Sequence, residues 1–331
     1  MHSSNGWSAS KMLYPWQEGI WKNWQQLLDQ GRLHHAILLV APTGSGREAL
    51  GKQLAKTVLC QNGITEPCGM CHSCRLFDAG THPDYHHLAP VDGKQIGVDA
   101  IRQCNRWAVE TSQLSGERVI LIEQADVMGE AAANALLKTL EEPPSGCQFI
   151  LMATSLDNLL PTINSRCNKW RLAMPAEADT RRWVESALMQ SIPLETVRLN
   201  GRAPLATLQF IEQGQDIRYR KLLEAFAGFL NPPFLGVFDV AGMCVEEGHQ
   251  SLKWLSYFLV DCLKWQQGVT EHLIHCESLP LVQQAAATTD PILLQSQVRK
   301  VNALLRQLEQ QTGLNQELLI VDWLTGFMNQ P

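Results

Sequence analysis

The chain has 331 residues, of which 45% are hydrophobic and 18% charged, a composition that excludes fibrous and disordered classes. That length is more than one ordinary core organises, so about two or three domains are expected. Lys plus Arg total 27 against 33 Asp plus Glu, a net charge of −6, which excludes nucleic-acid binding through a general basic surplus and leaves a local patch or partner chains for any such contact.

Met1–Ser10 is polar and lacks the charged-then-apolar layout of a signal peptide; it reads as a disordered extension. No apolar run approaches the ~20 residues of a membrane helix, so a cytoplasmic location and no membrane partner are expected. Trp16, Ile20, Trp24, Leu27 and Leu28 recur at helical spacing and predict a helix over Trp16–Gln30, ended by Gly31. His35–Val40 reads as a short buried strand, followed by a Pro-Thr-Gly-Ser-Gly turn and a helix over Arg47–Cys60.

Strand, glycine turn and helix are the layout of a phosphate-binding loop, G-x-x-x-x-G-K-[ST]. On that frame Ala41 stands at the first glycine, Gly44 inside the turn, Gly46 at the second glycine, Arg47 at the lysine and Glu48 at the hydroxyl residue. Arg47 keeps the charge without the compact ammonium. Glu48 removes a Mg²⁺ ligand and sets a negative charge beside a triphosphate. One such pair of like charges at ~4 Å costs about 1 kcal/mol in water and about 4 at an effective dielectric of 20. The frame is present and its chemistry is damaged.

Asn62–Thr81 is rich in Gly and Cys, and Cys60, Cys68, Cys71 and Cys74 follow the spacing C-x7-C-x2-C-x2-C. Four thiolates this close can wrap a tetrahedral Zn²⁺, with Gly69 suited to a tight knuckle. Four sulfurs close the coordination shell, which makes the site structural rather than catalytic. Three alternatives stay open. An iron–sulfur centre also uses C-x2-C-x2-C, although the usual further Cys followed by Pro is missing; His72 or His82 could replace one sulfur; or the thiols are simply reduced. Cysteines 104, 147, 167, 244, 262 and 276 are scattered and read as small buried hydrophobes.

Tyr85–Leu88 is a second strand and Val98–Thr111 a helix, with Val98, Ile101, Cys104 and Ala108 on one face. Arg118–Ile122 is apolar after its first residue, as in parallel sheets. It ends in Glu123-Gln124, where a working ATPase carries Asp-Glu. Glu123 could still reach a metal, but Gln124 cannot accept a proton, so the base is gone. A helix over Glu130–Glu142 stops at Pro143-Pro144, and Gln148–Ala153 is a further buried strand. Alternating strands and helices predict an α/β parallel sheet up to about Leu172. Ser165-Arg166-Cys167 follows the last strand and a short helix; on its own, an Arg there is a solvated cation at a helix end. Ala173-Met174-Pro175 reads as a linker, Ala176 to about Gly214 as a small helical unit, and everything from Asp216 as helical. Leu252, Leu255, Leu259 and Cys262 form one apolar stripe, and Leu294, Val298, Val301, Leu305 and Leu308 another. Gly313 fits a helix end.

Several stretches carry a resemblance to a known family. They are Leu33-His34-His35-Ala36, the four-cysteine module, Thr81-His82-Pro83-Asp84, Gly97-Val98-Asp99-Ala100, the box from Ala133-Asn134-Ala135-Leu136 to Leu140-Glu141-Glu142-Pro143-Pro144, Ser165-Arg166-Cys167, and Thr312-Gly313-Leu314-Asn315-Gln316-Glu317-Leu318-Leu319. The chain resembles the clamp-loader subunits of bacterial DNA polymerase III, within the AAA+ family, and among them the delta-prime type. The ATPase subunits keep the loop Lys, the Asp-Glu pair and an Arg in a G-x-x-R stretch. Here Gly201-Arg202-Ala203-Pro204 has Pro at that last position.

The resemblance implies an AAA+ α/β domain over 1–172 with a zinc insertion at 60–74, a helical lid over 173–215 and an all-α collar over 216–331. It implies a subunit of the polymerase holoenzyme with no catalytic site of its own and no productive ATP binding. Arg166 would act in trans as an arginine finger on a neighbouring ATPase subunit. The implied partners are the gamma/tau and delta subunits in a hetero-pentamer that loads the sliding clamp onto primed DNA. A weak stand-alone AAA+ ATPase is the alternative. A zinc-bearing nucleic-acid module is a third reading, opposed by the net charge of −6.

Overall fold

The computed structural model describes residues 13–91, 95–114, 116–311 and 313–328. The extension expected at Met1–Ser10, and Thr312 of the last resemblance stretch, lie outside the described residues. The chain divides into two compact units, Met1–Pro175 and Ala176–Pro331.

The first unit is the α/β domain. In chain order it runs α1 (Glu18–Asp29), β1 (Ala36–Val40), α2 (Arg47–Val58), α3 (His72–Asp78), β2 (Tyr85–Leu88), α4 (Val98–Val109), β3 (Arg118–Ile122), α5 (Glu130–Glu141), β4 (Cys147–Ala153), α6 (Pro161–Arg166) and β5 (Asn168–Arg171). The five strands form one sheet in the order β2-β3-β4-β1-β5, and every pairing is parallel. Side chains alternate across a strand, which explains why the central strands are apolar throughout. Leu38, Ile120, Phe149 and Leu151 pack on one face with Ile101, Leu136 and Ile163. Ile37, Leu39, Val119, Leu121 and Met152 pack on the other with Trp21, Trp24, Leu50 and Leu54.

Three local expectations are corrected. The helix expected from Trp16 begins as a 3-10 turn over Pro15–Gln17, and α1 starts at Glu18. Trp16 points its indole at another loop rather than along the helix stripe. The cysteine stretch contains a helix, α3. The strand β5 was not expected, because Asn168-Lys169-Trp170-Arg171 is mostly exposed and carries no apolar run; its pairing with Ile37–Val40 of β1 makes it a strand.

The second unit is helical among the described residues: α7 (Glu177–Leu188), α8 (Leu194–Leu199), α9 (Pro204–Glu212), α10 (Gln215–Phe229), α11 (Val237–Glu247), α12 (His249–Gln266), α13 (Leu279–Thr288), α14 (Pro291–Gln310) and α15 (Gln316–Thr325). Leu252, Leu255, Leu259 and Cys262 are buried together with Leu294, Val301 and Leu305, so the two apolar stripes face one core. Phe226 anchors an aromatic cluster with Phe229, Phe258, Trp323 and Phe327.

A buried carboxylate stitches the early helices of this unit to the later ones. Glu195 of α8 accepts hydrogen bonds from the Tyr219 hydroxyl at 2.8 Å, Ser278 N at 2.9 Å, Ser278 Oγ at 2.8 Å and Glu277 N at 3.2 Å. It thereby meets the positive N-terminal end of α13. Arg198 adds a bond to Leu273 O at 2.6 Å. Further along, Asp261 and His275, both fully buried, pair at 2.7 Å. Among the described residues no helix is long and apolar enough to cross a membrane.

Candidate functional site

The loop between β1 and α2 lies at the carboxyl end of β1, beside the central strand β4, where open α/β sheets bind ligands. Gly46 caps α2 with φ 78°, a left-handed conformation natural to glycine. A Cβ at Gly46 would lie 2.6 Å from the Tyr14 ring, so Tyr14 packs directly on the loop. Gln17, fully buried, donates from Nε2 to Gly46 O at 2.7 Å, and Trp16 Nε1 donates to Ser45 O at 2.8 Å. The short segment Tyr14–Gln17 thus covers the turn.

Arg47 is turned inward. It is 2% exposed, donating from Nη1 to Ala41 O at 2.7 Å and from Nε to Glu48 Oε1 at 3.1 Å. The residue at the lysine position therefore closes the loop on itself, binding the residue at the first glycine position. A cavity of about 290 Å³ opens alongside, lined among others by Ala41, Pro42, Thr154, Asp157 and Arg171. Gly44, Gly46, Arg47 and Glu48 do not line it.

At the end of β3, Glu123 is already engaged: its Oε1 meets His87 Nε2 at 3.0 Å. That hydrogen bond holds the Glu123 carboxyl below its usual range, against the opposing effect of burial. Gln124 turns the chain in the left-handed region, φ 51°. The G-x-x-R-like stretch lies in the second unit, where Pro204 is buried and opens α9.

The cysteine module is assembled as its spacing required. One sulfur from each of Cys60, Cys68, Cys71 and Cys74 lies within 4.8 Å of the others, a group able to hold a metal ion. Backbone N–H groups already point at these sulfurs: Gly63 N and Cys68 N at Cys60, at 3.2 and 3.3 Å; Cys71 N at Cys68, at 3.4 Å; and Cys74 N at Cys71, at 3.3 Å. Such donors favour the thiolate. The Met70 and Cys71 N–H groups bring the Cys68 thiol down to about 6. Burial, then the neighbouring Cys71 side chain, pushes Cys74 up. Four sulfurs crowded this way would repel one another as thiolates, and a dication fits them.

His82, the alternative ligand, is committed elsewhere. Its Nδ1 accepts from Asp84 N at 3.1 Å, so its Nε2 carries the proton toward Ser73 Oγ at 2.8 Å, and Ser73 Oγ donates to Leu59 O at 2.5 Å. Burial lowers the pKa of His82 and keeps this buried ring neutral. The chain His82–Ser73–Leu59, with Lys56 Nζ on Asp78 at 2.6 Å, fastens the module to α2. His72 is exposed and is not part of the group. The other six cysteines are buried or half-buried, as expected of small hydrophobes.

Arg166 ends α6 and keeps 28% of its side chain exposed. Its Nε donates to Glu141 Oε1 at 2.7 Å, Nη2 donates to the same oxygen, and Nη1 donates to Thr162 O at 2.9 Å. The sequence alone did not reveal Glu141, His87 or the Tyr14–Gln17 cover. Glu141 stands inside the quoted box, but nothing in the spacing pairs it with Arg166.

The family model described as DNA polymerase III, delta subunit matches residues 16–176, and that described as DNA polymerase III, delta subunit, C terminal matches residues 213–329. The DNA polymerase III subunit delta' of Haemophilus influenzae is 35% identical over 324 residues, covering 96% of this chain and 98% of its own length. That of Escherichia coli (strain K12) is 36% identical over 315 residues, covering 94% of each. A DNA polymerase III subunit gamma of Buchnera aphidicola is 34% identical over 165 residues, 49% of this chain and 45% of its own. A solved structure of a DNA polymerase III gamma subunit-related protein from Thermotoga maritima aligns over 93% of this chain and 98% of its own, with a TM-score of 0.46 at 18% identity. With matches of this identity spanning nearly its whole length, the chain belongs to the DNA polymerase III subunit delta' family.

Proposed function

We propose that this chain is a clamp-loader subunit that hydrolyses no ATP in its own loop and lends Arg166 to the ATP site of a neighbouring ATPase subunit. The observation that carries this reading is the contrast between Arg47, curled onto Ala41 of its own loop, and Arg166, placed at the surface on the last turn of α6. A guanidinium is always charged and offers a planar fork to phosphate oxygens. Where such a finger completes a nucleotide site in GTPases, it is worth ~10³–10⁵ in rate.

The partners in this reading are the gamma/tau ATPase subunits and the delta subunit in a hetero-pentamer, which acts in the cytoplasm on the sliding clamp and primed DNA. The first unit is the AAA+ domain, 173–215 the lid and 216–331 the collar that holds the assembly. Cys60, Cys68, Cys71 and Cys74 hold a structural Zn²⁺ that supplies cross-linking and no reaction chemistry.

Two measurements test the proposal. Purified chain titrated with labelled ATP and Mg²⁺ is expected to show no saturable binding and no turnover; tight binding with turnover by the lone chain overturns the non-ATPase assignment. Arg166→Ala, in the reconstituted complex with clamp and primed DNA, is expected to lower the stimulated ATPase rate with folding intact. An unchanged rate removes the finger.

A further inference from the structure

Arg166 is already occupied in the chain that carries it. A guanidinium has five N–H donors. Nε and one Nη2 hydrogen go to Glu141 Oε1, and Nη1 serves Thr162 O at 2.9 Å and Ser165 Oγ at 3.3 Å. Gripping a phosphate takes two parallel N–H groups on one edge of the fork. Both edges are in use: the Nε/Nη2 edge by the carboxylate of α5, Nη1 by the carbonyl and hydroxyl of α6. A finger in this state cannot grip a triphosphate with two parallel N–H groups until Glu141 lets go.

The pair is also built to let go. The side chains of Arg166 and Glu141 are 28% and 48% exposed, so water screens their attraction and a surface pair of this kind is weak. One carboxylate charge competes poorly with the several charges of a triphosphate. Glu141 is the last residue of α5 and Arg166 the last of α6, so the two groups meet where each is anchored on one side only.

We infer that Glu141 is a parking partner for Arg166, an internal stand-in for phosphate that holds the guanidinium in the lone chain and releases it to a neighbour's nucleotide. This rests on the finger assignment above. Parking differs in sign from simple positioning. A positioning carboxylate helps turnover, so losing it slows the reaction; a parking carboxylate competes with the phosphates, so losing it speeds the reaction.

The experiment uses the reconstituted complex with clamp and primed DNA, and compares Glu141→Gln, Arg166→Ala and the double variant. Glutamine keeps the shape of a half-exposed side chain, and thermal melting of each variant confirms its fold. The expected result is a two- to about fivefold rise in kcat/KM for ATP in Glu141→Gln, absent when Arg166→Ala is also present. No change or a fall in Glu141→Gln, beside a defective Arg166→Ala, overturns parking and leaves the finger standing. A rise that persists without Arg166 also overturns parking, because Glu141 would then act as a general charge near the site. A normal rate in Arg166→Ala overturns the finger itself.

Discussion

The first unit holds two arginines that each sit against a glutamate, and they have opposite fates. Arg47 pairs with Glu48 and is 3% exposed along its side chain; Arg166 pairs with Glu141 and is 28% exposed. Arg47 is also bonded to a main-chain carbonyl of its own loop, so its charge is spent inside the fold. Arg166 bonds a carbonyl too, but of the exposed turn that bears it. The pairing chemistry is the same, and burial keeps Arg47 inside the fold while Arg166 stays at the surface.

That contrast can be broken in several ways. The largest effect comes from the metal. Because α2 begins at Arg47 and leads into Cys60, the zinc module is expected to support the helix that carries Arg47. Chelation, or Cys74→Ser, is expected to remove about one zinc per chain and to cost on the order of 5 kcal/mol of stability in denaturant unfolding. Zinc far below one per chain with unchanged stability in chelator would refute the structural metal.

Next is Arg166→Ala, expected to lower turnover at the neighbouring site proposed for it by about 10³-fold with the melting temperature unchanged. Arg47→Ala should do the reverse. It leaves Ala41 O without its buried donor, so unfolding in urea should show a loss of about 2 kcal/mol, while the complex keeps its ATPase rate. If Arg47→Ala instead slowed the complex and left stability alone, the two arginines would have to exchange roles.

The smallest expected effect is none. Restoring the loop chemistry with Arg47→Lys and Glu48→Thr together should not bring back ATP binding, because Tyr14 and Gln17 still pack on Gly46. Micromolar ATP affinity in that double variant, measured by calorimetry, would show that the two side chains and not the cover close the site.

Much of this was legible in the residues, and the gaps have physical causes. The central strands announced themselves because both faces of a parallel sheet are buried, so Leu38 and Leu39 had to be equally apolar. The cysteines were legible because four sulfurs able to share one metal ion must stand close together along the chain. The strand β5 was not, since edge strands owe their conformation to backbone pairing, and Asn168 and Lys169 face water. Glu141 and Arg166 lie 25 residues apart and meet only because two helices end side by side. No local rule encodes such a meeting. Trp16 misled for a related reason: it keeps the helical interval to Ile20, yet its indole N–H serves Ser45, which is 29 residues away.

Glu195 carries a mechanical consequence. Gly214 separates α9 from α10, and glycine there would ordinarily mark a pivot. Yet bending at Gly214 to lift α8 from α13 would strip one buried carboxylate of Tyr219, Glu277 and both donors of Ser278 together, four charge-assisted hydrogen bonds broken at once. The helices on either side of that glycine are the arms of one stiff lever, and a torque on one arm is carried to the other.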